Sequence, residues 1–113
     1  AAKSIPYREL NRNTENYVGQ KVHYTGKVAQ TVEFSGKTKV LRVDVTKDEF
    51  GLWSDTIWVD VADGRAPRIL EDDIVEILGE VTGRKTYTAV LGNEVTIPQI
   101  RADFIRVVSE EKK

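Results

Sequence analysis

Cysteine and methionine are both absent from this 113-residue chain, and histidine occurs once, as His23. Without cysteine there is no disulfide and no thiolate metal site, and one histidine is too few for a zinc shell. Nucleophilic catalysis loses its usual carriers as well: there is no thiol, and no serine stands in a Gly-x-Ser-x-Gly turn. No apolar run is long enough to cross a membrane as a helix, and no secretory signal lies within these residues. Methionine is missing even at position 1, so the chain reads as a processed form or an excised piece, from which a targeting segment could have been removed.

What remains is the composition of a single domain, residues 1–113, with its core expected over 5–108 and a charged tail over 109–113. Hydrophobic residues make up 40% of the chain, enough for a modest core. The net charge of −1 hides an asymmetry. Residues 1–47 carry nine basic and four acidic groups, whereas residues 48–113 carry eight basic and fourteen acidic ones. Such a split suits a basic face for an anion. It vanishes if strands from the two halves interleave, as they must in a barrel.

The period-2 pattern begins at Val18–Val28. Val22, Tyr24, Gly26 and Val28 fall on one face, and Lys21, His23, Thr25 and Lys27 on the other, the mark of a half-buried strand. Gly26 inside the run permits a bulge or sharp bend, so that one strand can serve two sheets. Before it, Ala1–Lys3 reads as a frayed end. Ser4 is a candidate cap for a short helix over Pro6–Asn13, anchored by Tyr7, Leu10 and Tyr17 and covering one barrel end. The first strand runs on to Phe34, and Ser35-Gly36-Lys37 turns into a second strand, Thr38–Thr46, with Leu41, Val43 and Val45 inward. A loop with apolar insertions, Lys47–Asp55, leads to a third strand, Thr56–Val61, with Trp58 and Asp60 outward. Ala62–Pro67 is a connector of turn formers.

A fourth strand is expected from Leu70 to Val81, and it mirrors the first. Val22-His23-Tyr24-Thr25-Gly26-Lys27-Val28 and Val75-Glu76-Ile77-Leu78-Gly79-Glu80-Val81 share the pattern apolar-x-apolar-x-Gly-x-Val. Thr82–Lys85 is expected to turn. Thr86–Val90 and Glu94–Ile97 then form a hairpin around Leu91-Gly92-Asn93. Pro98 interrupts pairing, and Ala102–Val108 is the last strand, with Phe104 and either Ile105 or Val107 in the core.

Five main strands, two of them carrying a central glycine, point to an all-β fold: a five-stranded OB-fold-like Greek-key barrel with a short N-terminal helix. The runs Gly19–Val28, Leu41–Val45, Leu70–Gly83 and Val95–Asp103 resemble the tRNA-anti-like OB-fold domains of small bacterial proteins, over roughly positions 5–108. That resemblance implies an exported or lipid-anchored setting in the cell envelope. The family name implies nucleic-acid binding by analogy of fold.

Catalytic chemistry finds little material. Glu71-Asp72-Asp73 lacks the ligand spacing of a calcium loop and reads as a solvated turn, and Asp55, Asp60 and Asp63 are read likewise. His23 reads as a surface histidine. No metal and no cofactor are expected, and the chain is not expected to be an enzyme. A binding surface has more support. OB-folds use the outer face of strands two and three with the flanking loops. Arg42 and Trp58 fall on that face, Phe50 and Trp53 lie in the adjoining loop, and Lys39 and Lys47 flank it. Aromatics beside cations can stack a base, a sugar or a peptide side chain. They can equally fold back as core, with Trp53 and Phe50 covering a barrel end. The near-neutral charge favours a protein, peptide or glycan, including a second copy of the chain, over single-stranded nucleic acid, whose affinity rests on phosphate neutralisation.

Overall fold

The computed structural model describes residues 2–62 and 67–109. A short helix α1 (Tyr7–Arg12) and a 3-10 turn (Thr14–Tyr17) precede five strands. These are β1 (Lys21–Phe34), β2 (Lys37–Lys47), β3 (Trp53–Val61), β4 (Ile74–Thr88) and β5 (Glu94–Ser109). They close into a barrel in the order β1-β2-β3-β5-β4. All pairings are antiparallel except β3 with β5, which run parallel over Val59↔Ile100 and its neighbours. This is the topology of the OB-fold.

Alternation in β1 fixes the inward face as expected: Val22, Tyr24, Gly26 and Val28 are buried. The strand serves two partners. It pairs with β4 from Lys21 to Lys27, then with β2 from Lys27 to Phe34. Gly26 stands at that handover, because a Cβ there would run into the carbonyl oxygen of Asp44 and lie 2.7 Å from Val43 Cγ1. The nearer of the two register slips between β1 and β2 is at Ala29, between Val28 and Gln30, and not at the glycine. Gly79 repeats the arrangement against the carbonyl of Arg101 and Ile100 Cγ2. The near-repeat in the sequence therefore records two close strand crossings. The first hairpin turns on Ser35 and Gly36, both with positive φ (54° and 76°), the two-residue geometry that matches strand twist.

Several expectations are corrected. Ser4 does not cap α1; Pro6 precedes the helix without a side-chain cap, and the Ser4 hydroxyl donates to the His23 carbonyl at 2.8 Å. Lys3 is no frayed end, since its backbone pairs with Lys21 and His23 along β1. Residues Leu70–Asp73 form a turn before β4, held by Leu70 N–H on Asp73 Oδ2 (2.9 Å). Asp73 is buried in it rather than solvated. Thr82–Lys85 makes no turn: β4 passes through with a register slip between Val81 and Gly83. Pro98 does not end a strand. It pairs opposite Arg84, one residue before β3 joins at Gln99, where the second side of β5 is still an edge that tolerates proline. Phe104 is 49% exposed and Ile105 is buried instead. The pairing jumps from Gly79↔Ala102 to Leu78↔Phe104, leaving Asp103 as a bulge that flips the alternation. Residues 63–66 of the connector, residue 1 and tail residues 110–113 lie outside the described residues.

The core is aliphatic: Leu41, Val43, Ile57, Val59, Ile77 and Ile100 are fully buried, and Leu10 from α1 joins them. Tyr24 brings in one polar atom, whose hydroxyl donates to the Ile5 carbonyl at 2.6 Å. Burial holds this phenol well above the ordinary tyrosine range. Its folded pKa exceeds the unfolded value near 10, so its contribution to stability is complete below about pH 10 and lost as pH rises further. Tyr24→Phe is expected to cost about 1 kcal/mol at neutral pH. It should also flatten part of the alkaline fall in melting temperature; an identical fall in both proteins above pH 10 contradicts this.

Candidate groove on the outer face of strands two and three

Arg42 and Trp58 are direct neighbours across β2 and β3, both on the outer face. The distal arm of β4 and β5 lies over them. Tyr87 of that arm sits with its ring centroid 6.0 Å from that of Trp58, tilted by 34°. The guanidinium of Arg42 stands 4.5 Å from the Tyr87 centroid, and Lys85 Nζ stands 5.3 Å from that of Trp58. Two cations and two rings thus interlock between β2, β3 and β4. The floor is held by Asp60, which accepts from Trp58 Nε1 (3.1 Å) and from Gln99 Nε2 of β5 (2.6 Å).

Beside this stack runs a groove of about 620 Å³. Its aliphatic wall is Val32, Val40, Val90 and Leu91. Val90 and Leu91, at the arm's tip, are 102% and 94% exposed. The arm exists because β4 and β5 pair with each other beyond the barrel, from Gly83 to Thr88 against Glu94 to Gln99. Its turn is closed by Ala89 N–H on the Asn93 carbonyl at 2.8 Å. Sequence reasoning missed Lys85, Tyr87 and the tip. Tyr87 and Trp58 are far apart in the chain, and only the alternation of Tyr87 with Lys85 hinted at a shared face.

The other expected residues do not join the groove. Lys39 is the residue skipped between Val32↔Val40 and Glu33↔Thr38, and it lies outside the groove lining. Trp53 and Lys47 are strand residues rather than loop residues: they pair with each other, with Lys47 Nζ 5.7 Å from the Trp53 centroid. They lie five residues along β2 from Arg42, roughly 17 Å away. Phe50 caps no barrel end; it and Leu52 project into solvent. Asp48 fixes their loop by accepting from the backbone N–H groups of Phe50 (2.8 Å) and Leu52 (2.9 Å).

His23 stands on the far side of the barrel. Its Nε2 is 2.8 Å from Glu76, which also accepts from Arg106 at 2.6 Å. The His23 bond first, and the Arg106 bond second, keep the Glu76 carboxyl below its usual range. Ser4 Oγ lies 3.4 Å from His23 Nδ1, but its single proton goes to the His23 carbonyl. That string is a structural tie for the N-terminal segment, with no activated nucleophile. Among the described residues no group of three or more metal-ligating side chains converges. None of the described helices is long and apolar enough to cross a membrane.

No protein-family model and no curated protein matches this chain. Solved structures do match. OBody AM3L09, bound to hen egg-white lysozyme, aligns with a TM-score of 0.56 and 19% identity over 98% of this chain and 100% of its own. OBody AM2EP06, also bound to hen egg-white lysozyme, aligns at 0.58 and 20%, over 98% of this chain and 97% of its own. The aspartyl tRNA synthetase from Entamoeba histolytica aligns at 0.61 and 15% over 99% of this chain, which spans 22% of the synthetase. Likeness at these identities is likeness of fold, and with the strand order it makes this chain an OB-fold barrel.

Proposed function

We propose that this chain is a non-catalytic binding module that holds a segment of another protein in the groove between the outer face of β2 and β3 and the β4–β5 arm. The observation that carries this is the interlocked stack of Arg42, Tyr87, Trp58 and Lys85 beside an exposed aliphatic wall. Bases and sugars dock on open aromatic faces. Here each ring carries a cation of the chain's own. What the groove offers a ligand is aliphatic surface with cationic edges, which suits peptide side chains better than a base or a glycan ring. The OBody structures, bound to hen egg-white lysozyme, are consistent with protein recognition on such a fold.

A displayed library of random peptides, selected against the immobilised chain, tests this. Enriched peptides should lose about tenfold or more in affinity with Leu91→Ser or Arg42→Ala, as for truncated interface hot spots. Phe50→Ser should leave them unchanged. Selected peptides indifferent to Leu91→Ser and Arg42→Ala would place the binding surface elsewhere.

A further inference from the structure

We infer that the groove's ligand is an extended acidic–aliphatic peptide segment, with a carboxylate two residues from an aliphatic side chain on the same face. This rests on the binding-module reading above and names its ligand class. The first argument is charge. Several cations elsewhere on the barrel sit against carboxylates, Lys21 with Glu80 and Asp103, Arg84 with Glu15, Arg106 with Glu76, whereas Lys47, among the described residues, rests on Trp53 alone and stands away from the groove. Among the described residues neither Arg42 nor Lys85 has a carboxylate partner; each rests on a ring. Two of the acids nearby are occupied. Glu33, next to Val32, is held by Arg68 at 3.4 Å, and both oxygens of Asp60 accept hydrogen bonds from neutral groups.

The second argument is geometry. A guanidinium held over a ring uses its face, and its in-plane N–H donors remain for a carboxylate, which they match in pairs. The stack also fixes the side chain in advance, lowering the ordering cost on binding. Val40 and Arg42 stand two residues apart on the same face of β2, a step of roughly 6.8 Å. An extended ligand repeats that step in its own side chains. An aliphatic group over Val40 and Val32, against Leu91, therefore brings the side chain two positions on to Arg42. A phosphate would also satisfy Arg42, but the aliphatic wall gives a nucleobase nothing to stack on.

Fluorescence anisotropy at low salt tests this with a labelled peptide of about ten residues that places Leu and Asp two apart. Three comparators go with it: the same peptide with Lys for Asp, one with Asp moved by a single position, and an oligothymidylate. The matched peptide should bind, and both altered peptides should bind about tenfold or more weakly. Arg42→Gln with Lys85→Gln should weaken the matched peptide by a similar factor, Arg42→Lys less so, and Lys47→Gln not at all. Thermal melts confirm that each variant is folded. Equal affinity for the acidic and basic peptides, or indifference to Arg42→Gln, overturns the acidic ligand. In that case loss of library-selected peptides on Leu91→Ser would still leave the groove as the binding site. If no peptide of any kind responds to Leu91→Ser, the proposed function falls as well. Oligothymidylate binding that depends on Arg42 and exceeds peptide binding overturns both in favour of nucleic acid.

Discussion

Gly26→Val should lower the melting temperature by roughly 10–20 °C, or prevent folding altogether. The added Cβ alone would overlap the Asp44 carbonyl and crowd Val43 Cγ1. Asp44 is not a flexible side-chain tip at this contact but backbone of β2, paired on one side with Lys27 and on the other with Thr56. Relief therefore requires β1 and β2 to separate where β1 changes partners. Overpacking of this kind costs on the order of 3 kcal/mol. For a domain of this size each kcal/mol moves the midpoint by several degrees. Thr25→Val is the matched control: position 25 points outward, and its melting temperature should stay within about 2 °C. Gly79→Val should resemble Gly26→Val, since the Arg101 carbonyl and Ile100 meet it in the same way. A Gly26→Val protein that melts like the parent would show that the two strands can part at no cost.

Leu10→Ala should cost roughly 2–5 kcal/mol, the range for emptying a fully buried leucine site. α1 has six residues, too few to persist alone. It stays helical because Leu10 enters the core and Tyr7 and Tyr17 pack half-buried beside it. Thr14 reinforces the exit by donating its hydroxyl to the Leu10 carbonyl at 2.7 Å. Truncating Leu10 removes the anchor and opens the barrel end. Arg84 ties the base of the arm to α1 through the Asn11 carbonyl, but no residue of α1 lines the groove, so peptides selected on the parent should bind the folded fraction of Leu10→Ala with unchanged affinity. Chemical denaturation gives the first quantity and anisotropy the second. A loss below about 1 kcal/mol would mean that α1 is not needed to close the barrel.

These two outcomes concern features readable along the chain. Gly26 and Gly79 announced themselves by position in an alternating run, and Leu10 by its place among polar neighbours. The groove was only half readable. Arg42 and Trp58 follow from parity, because each strand carries its own period of two. Phe50 and Trp53 looked like their companions because an apolar loop beside a strand suggests a shared surface. The β2–β3 ladder instead carries Trp53 five residues past Arg42, with Phe50 in the loop beyond. Val90 and Leu91, expected to be ordinary hairpin residues, became the groove's most exposed wall once β4 and β5 were seen to run on beyond the barrel.

The sequence by itself determined the inward faces of β1, β2 and β3, the two glycine positions in β1 and β4 and the absence of cysteine chemistry. All of these are properties of contiguous residues or of composition. Tertiary structure decided three other matters. The bulge at Asp103 exchanged Phe104 for Ile105 in the core, because keeping pairing with β4 required one residue to be skipped. Pro98 was absorbed into β5, because the strand there has only one partner. Lys85 and Tyr87 came to rest on Trp58 and Arg42, because the parallel closure of β3 on β5 carries β4 over a face assembled earlier in the chain. Local periodicity has no term for such long-range juxtapositions; only closing the barrel supplies them.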